Sequence, residues 1–232
     1  MVPATVVFDL DGTLVDTAPD LVATLNAVLA RQGLPPLDYA AARNMVGGGA
    51  RMMIERGLKA EGRVLATAEI DALVKDFIAL YAEHIADNSH PFPGVAAALD
   101  ALAAEGCRLA VCTNKLEWLS LRLLEAVGFT ARFVAICGPD TFGVRKPDPE
   151  MLRRTIERAG GQAARAVMVG DSITDIAAAR AAGVPVIAVD FGYSEQPIAE
   201  LGANRVISAF EELPGTVWEL LGAGPAAGAG YR

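Results

Sequence analysis

Two aspartates, Asp9 and Asp11, stand two residues apart at the end of an apolar run, and two more, Asp171 and Asp175, stand four apart much later in the chain. Thr113-Asn114 and Lys146 lie between them. These residue types match the needs of phosphoryl transfer. One carboxylate can attack phosphorus, a neighbour two residues on can exchange a proton with the leaving oxygen, and a third can help fix a divalent cation. Asp9, Asp11 and Asp171 fit those tasks. Crowded carboxylates repel one another and a phosphate, so the site needs positive charge, which magnesium and Lys146 can supply. Thr113 and Asn114 can donate hydrogen bonds to the other phosphate oxygens. The chemistry needs no histidine. His84 falls in a helical stretch and His90 beside prolines, and both read as structural or solvent-facing.

For these side chains to meet, each must follow a strand of one sheet. Thr5–Leu10 is short, β-branched and apolar, as a buried parallel strand should be. Runs of the same character recur at Arg108–Thr113, Phe133–Cys137, Ala166–Gly170 and Val184–Val189. Helical patterns separate them, at Val95–Leu102, Leu116–Val127 and Met151–Ala159, each closed by a glycine. Strand-helix alternation predicts an α/β fold, a Rossmann-like parallel sheet with helices on both faces. Ligands of such sheets lie beyond the carboxyl ends of the strands, where the residues above fall.

About ninety residues separate the first strand from the second, far more than a crossover needs. The stretch from Asp16 to Asp87 reads as mainly helical, with Leu21, Leu25, Val28 and Leu29 on one face and Ile70, Leu73, Val74, Phe77, Leu80 and Tyr81 on a later one. The expected organisation is a catalytic core of residues 1–15 and 92–232, interrupted by a helical cap domain at 16–91. Ser89–Gly94, with two prolines and a glycine, is the expected hinge. Asp16 and Thr17 are expected to begin the first cap helix, with Asp20 in its first turn. Gly47-Gly48-Gly49 reads either as a turn between cap helices or as a substrate-reading loop, in which Gly48 and Arg51 would meet a carboxylate or polar end. Trp118 and Trp218 read as packing residues, and the Gly/Ala/Pro-rich 222–232 as a mobile tail.

The chain has 232 residues, of which 53% are hydrophobic, and a net charge of -8. That balance argues against nucleic-acid binding, which needs clustered Lys and Arg. No apolar run approaches the roughly 20 residues of a membrane span, so a cytoplasmic enzyme acting on a small phosphorylated metabolite is expected, as a monomer or a homodimer. Cys107, Cys112 and Cys137 lack metal-type spacing and read as buried thiols.

Asp9-Leu-Asp11-Gly-Thr-Leu-Val-Asp16, the strand ending in Thr113-Asn114, Lys146-Pro-Asp-Pro, and Gly170-Asp171-Ser-Ile-Thr-Asp175 resemble the four ordered motifs of the haloacid dehalogenase superfamily. The resemblance implies Asp9 as nucleophile, Asp11 as general acid and base, and Thr113 and Lys146 as phosphate ligands. It also implies Mg2+ held by Asp171 with Asp9, the backbone carbonyl of Asp11 and support from Asp175. Asp at position 11 favours phosphate esters over alkyl halides, whose leaving group needs no proton. Phe8–Leu21 and Val46–Arg51 are similar to the bacterial phosphoglycolate phosphatases. Related members act on sugar phosphates such as N-acetylmuramate 6-phosphate, or on pyrophosphate, and a phosphosugar mutase shares the core motifs. A phospho-accepting signalling module is the non-enzyme alternative. Such modules are about half this length and lack a helical insertion.

Overall fold

A computed structural model describes residues 2–222, so the expected tail lies, Gly222 apart, outside the described residues. The strands are β1 (Thr5–Phe8), β2 (Val15–Asp16), β3 (His90–Pro91), β4 (Arg108–Cys112), β5 (Ala135–Cys137), β6 (Ala166–Gly170), β7 (Val186–Val189) and β8 (Arg205–Ile207). Six of them form one sheet in the order β5-β4-β1-β6-β7-β8, with every pairing parallel. Phe8 is in register with Val111 on one side and Val169 on the other. This brings Asp9, Thr113 and Asp171 to the same edge, at the point where the chain order reverses about β1.

Side chains alternate across β1 with the strand's period of two. Val6 and Phe8 join one apolar layer with Leu99 and Leu102 of α5 (Val95–Ala104) and Val217 of α10 (Leu213–Leu221). Val7 joins the other with Met151 and Leu152 of α8 (Pro149–Arg158) and Ile176 of α9 (Ile173–Ala182). Burial on both faces is why the strand reads as a continuous apolar run.

The insertion holds α1 (Ala18–Ala30), α2 (Tyr39–Arg43), α3 (Ala50–Ala60) and α4 (Thr67–Glu83). Its helices share a separate apolar cluster in which Leu25, Leu29, Ile54 and Leu58 meet Leu73, Phe77 and Tyr81. The last three recur every fourth residue on the buried face of α4. Two crossing segments join cap to core, with β2 antiparallel to β3. Asp20 ties them together: its carboxylate accepts from Asn88 N at 3.0 Å and from Ser89 Oγ at 2.6 Å. It therefore does more than favour the first turn of a helix.

Several local expectations need correction. Phe133 and Val134 precede β5, and Val184 and Pro185 precede β7. β8 was not expected; it is a three-residue edge strand with two exposed residues, too short and polar at the surface to show a pattern. Trp118 of α6 (Glu117–Ala126) is 41% exposed, so it is not a packing residue. The cysteines are free and buried. No described helix is long and apolar enough to cross a membrane.

Candidate active site

The acidic residues converge beyond β1 and β6. One carboxylate oxygen each from Asp9, Asp171 and Asp175 lies within 4.8 Å of the others, and all three residues are buried. Asp9 Oδ1 accepts from Leu10 N at 2.7 Å and faces Lys146 Nζ at 2.8 Å. That orients one oxygen, while Oδ2 accepts no hydrogen bond among the described residues. Lys146 Nζ also donates to Asp175 Oδ1 at 2.6 Å. Asp175 in turn accepts from Ser172 N at 3.1 Å at the start of α9, so one carboxylate caps a helix and fixes the lysine.

Asp171 accepts from Thr13 Oγ1 at 2.8 Å and from Tyr193 N at 2.7 Å. Gly12 makes this approach possible. It has φ +81°, and a Cβ there would lie 2.4 Å from Asp171 Oδ2. Burial raises the Asp9 carboxyl from 3.8 to about 8, with the charges of Asp175 and Asp171 adding to it against the pull of Lys146. Burial, then the charge of Asp175, raises Asp171 to about 7. For Lys146, burial alone favours the neutral amine, but Asp175 and Asp9 outweigh it and hold the ammonium above its ordinary range.

The Asp11 side chain does not join that cluster. Its Oδ1 accepts from Thr17 Oγ1 at 2.7 Å and from Lys115 Nζ at 2.5 Å. Thr17 sits at the N-cap position of α1, yet its hydroxyl serves Asp11 rather than the helix. Lys115 Nζ donates as well to the hydroxyl of Tyr81, on cap helix α4, at 2.8 Å. Thr113 is buried at the end of β4, its Oγ1 accepting from Lys115 N at 3.2 Å.

Asn114 links cap and core. Its Nδ2 donates to Gly47 O at 3.3 Å and to Lys146 O at 3.2 Å, so the amide nitrogen is occupied by protein groups, while the buried Oδ1 has no partner among the described residues. The glycine loop therefore stands against the carboxyl edge of the sheet, where a Cβ on Gly49 would lie 3.3 Å from Asn114 O. A second contact, Arg56 Nη1 to Glu195 Oε1 at 2.8 Å, joins α3 to the loop after β7.

Between cap and core lies a cavity of about 220 Å³, bordered by Asp9, Asp11, Thr113, Asn114, Gly48 and Arg51. Leu21, Val46, Met53, Val74, Phe77 and Ile78 give it apolar walls, which limit access of water. Arg51 reaches this border, but its guanidinium is paired with Asp71 and Glu55.

Residues 6–189 match the family described as haloacid dehalogenase-like hydrolase. The chain belongs to that family. It is 52% identical over 208 residues to the phosphoglycolate phosphatase of Mesorhizobium japonicum, covering 90% of this chain and 92% of that one. It is 48% identical over 227 residues to the phosphoglycolate phosphatase of Caulobacter vibrioides, covering 98% and 96%. A crystal structure of a predicted phosphoglycolate phosphatase from Haemophilus somnus superposes with a TM-score of 0.84 at 29% identity, covering 92% of this chain and 97% of that one.

Of the motif residues, Asp9, Asp11, Thr113 and Asn114 border the cavity, while Lys146, Asp171 and Asp175 are buried around Asp9 and do not border it. Lys115 was missed, although it directly follows Thr113-Asn114. Lysine after a strand reads as surface unless its partners are known, and those are Asp11, over a hundred residues away, and Tyr81 of the cap. Tyr193 was missed for the same reason: its hydroxyl accepts from Thr17 N at 2.7 Å and donates to Asp16 Oδ1 at 2.6 Å.

Proposed function

We propose that this protein hydrolyses 2-phosphoglycolate to glycolate and orthophosphate through an aspartyl-phosphate on Asp9, with a magnesium ion bound. The observation that carries the substrate is the near-full-length identity to phosphoglycolate phosphatases of 52% and 48%. The side chains supply the chemistry. Asp9 Oδ2 forms the bond to phosphorus as the ester bond breaks, while Lys146 orients Oδ1 and balances the gathering negative charge. Asp11 gives its proton to the departing glycolate oxygen. It then takes a proton from the water that attacks phosphorus and frees Asp9, releasing orthophosphate.

The residues fit magnesium. They offer hard carboxylate oxygens within 4.8 Å of one another. Three buried carboxylates stand beside the single ammonium of Lys146, which leaves negative charge for a cation to balance. When bound, such an ion neutralises charge on the transferring phosphoryl group. Asp9, Asp171 and the Asp11 carbonyl would hold it, with Asp175 in support. The segment 16–91 acts as the cap that closes over the substrate, and the protein works in the cytoplasm on a small metabolite.

The test is phosphate release from 2-phosphoglycolate, sugar phosphates, N-acetylmuramate 6-phosphate and pyrophosphate, with and without chelator, for the wild type and Asp9→Asn. Turnover led by 2-phosphoglycolate and abolished by chelator and by Asp9→Asn is the expected result. Preference for another ester would displace the substrate, and activity in Asp9→Asn would remove the intermediate.

A further inference from the structure

We infer that Lys115 is the specificity-determining cation of this site, reading a carboxylate on the carbon that bears the leaving oxygen. The inference rests on the 2-phosphoglycolate reading and identifies the feature of that substrate the protein selects. Its chemical basis is short: in a 2-phospho-carboxylate a single carbon separates the ester oxygen from the carboxyl carbon. A proton donor to that oxygen therefore stands next to the carboxylate. The cation that touches the donor can touch the carboxylate too. Lys115 Nζ is 2.5 Å from Asp11 Oδ1, and both residues border the cavity.

Among the described residues, the cations bordering that cavity are Arg51, Lys115 and Arg145. Arg51 is held by Asp71 and Glu55, and Arg145 is exposed. Lys115 alone is buried, with its side chain 5% exposed. An ammonium has three donors. Two go to Asp11 and to Tyr81 Oη, the latter at 2.8 Å, and no third acceptor is present among the described residues. Its charge is shared with Asp11 and lies 4.6 Å from the centroid of the Tyr81 ring, and one donor is left over beside a cavity with largely apolar walls. In such surroundings a charge-assisted hydrogen bond to a carboxylate is stronger than in water. Tyr81 comes from the cap, so the reader is complete only when cap and core meet.

The test compares kcat/KM for 2-phosphoglycolate and for 2-hydroxyethyl phosphate, a similar ester lacking the carboxylate, in the wild type, Lys115→Met and Arg51→Ala. Lys115→Met should lose roughly a hundredfold on 2-phosphoglycolate and far less on the neutral ester, so that the wild-type preference collapses. Arg51→Ala should keep the preference. Equal losses on both esters in Lys115→Met would mean the lysine acts only through Asp11, and would overturn the inference. So would a preference that survives in Lys115→Met or disappears in Arg51→Ala. If Lys115→Met does not fold, Lys115→Gln carries the same comparison, since it keeps a polar donor near Asp11 and Tyr81. A wild type that does not prefer 2-phosphoglycolate refutes the substrate reading before any variant is compared.

Discussion

Replacing Lys146 with methionine isolates the charge on which the acidic edge of the sheet depends. Its ammonium lies 2.6 Å from Asp175 Oδ1 and 2.8 Å from Asp9 Oδ1, with all three side chains buried. Deleting one partner of a buried pair costs about 3–5 kcal/mol, because the other charge stays behind uncompensated. Methionine keeps much of the stem, so the loss reports charge more than cavity. In metal-free buffer the loss should also depend on pH. Burial raises the Asp9 carboxyl from 3.8 to about 8 while Lys146 pulls it down. A carboxyl raised on folding stabilises the fold most below its unfolded pKa, and that contribution is lost as pH climbs through the folded value. In the wild type the loss is complete just above pH 8. Without Lys146 the proton is held still more tightly, and stability goes on falling at higher pH. Each pH unit above the wild-type value adds up to about 1.4 kcal/mol to the difference. Urea unfolding in EDTA, followed by circular dichroism at pH 6 and pH 9, measures it. The expected deficit is about 3 kcal/mol at pH 6 and roughly 1 kcal/mol more at pH 9. A deficit that is absent, or that shrinks from pH 6 to pH 9, refutes the electrostatic account.

Gly12→Ala should destabilise the fold by about 2–4 kcal/mol in the same unfolding assay, because the new Cβ meets both a positive φ and the Asp171 carboxylate; a wild-type midpoint would show that the turn can relax. Magnesium affinity, measured by calorimetry, should rise at least about tenfold from pH 6 to pH 9 with release of protons, since Asp9 near 8 and Asp171 near 7 must ionise to bind. A flat pH dependence would contradict the raised carboxyls. Asp20→Ala leaves the Asn88 N–H and Ser89 hydroxyl without their acceptor and should cost about 1–3 kcal/mol. An unchanged unfolding midpoint would mean that the hinge does not need this tie.

The core was legible because its signals are local. Val6, Val7 and Phe8 face two buried layers, so β1 reads as an apolar run whichever helices cover it. The residues just past each strand are then obliged to gather at one edge, which is why Asp9, Thr113 and Asp171 could be named together. β8 was not legible: an edge strand with two exposed residues has neither alternation nor continuous apolarity to display. Trp118 was misread because helical spacing alone does not say which face of α6 is covered.

By itself, then, the sequence determined the α/β core and the helical insertion, and it singled out the acids and the lysine to which phosphoryl transfer is assigned in the proposal. Only the tertiary structure decided how they are paired. Lys146 lies between Asp9 and Asp175, Asp11 turns away from the other acids toward Lys115, and Tyr81 reaches down from the cap to the same lysine. The physical reason is range. Strand and helix signals arise between near neighbours, whereas an ion pair depends on distances of a few ångströms between residues that only the sheet register and the seating of the cap bring together.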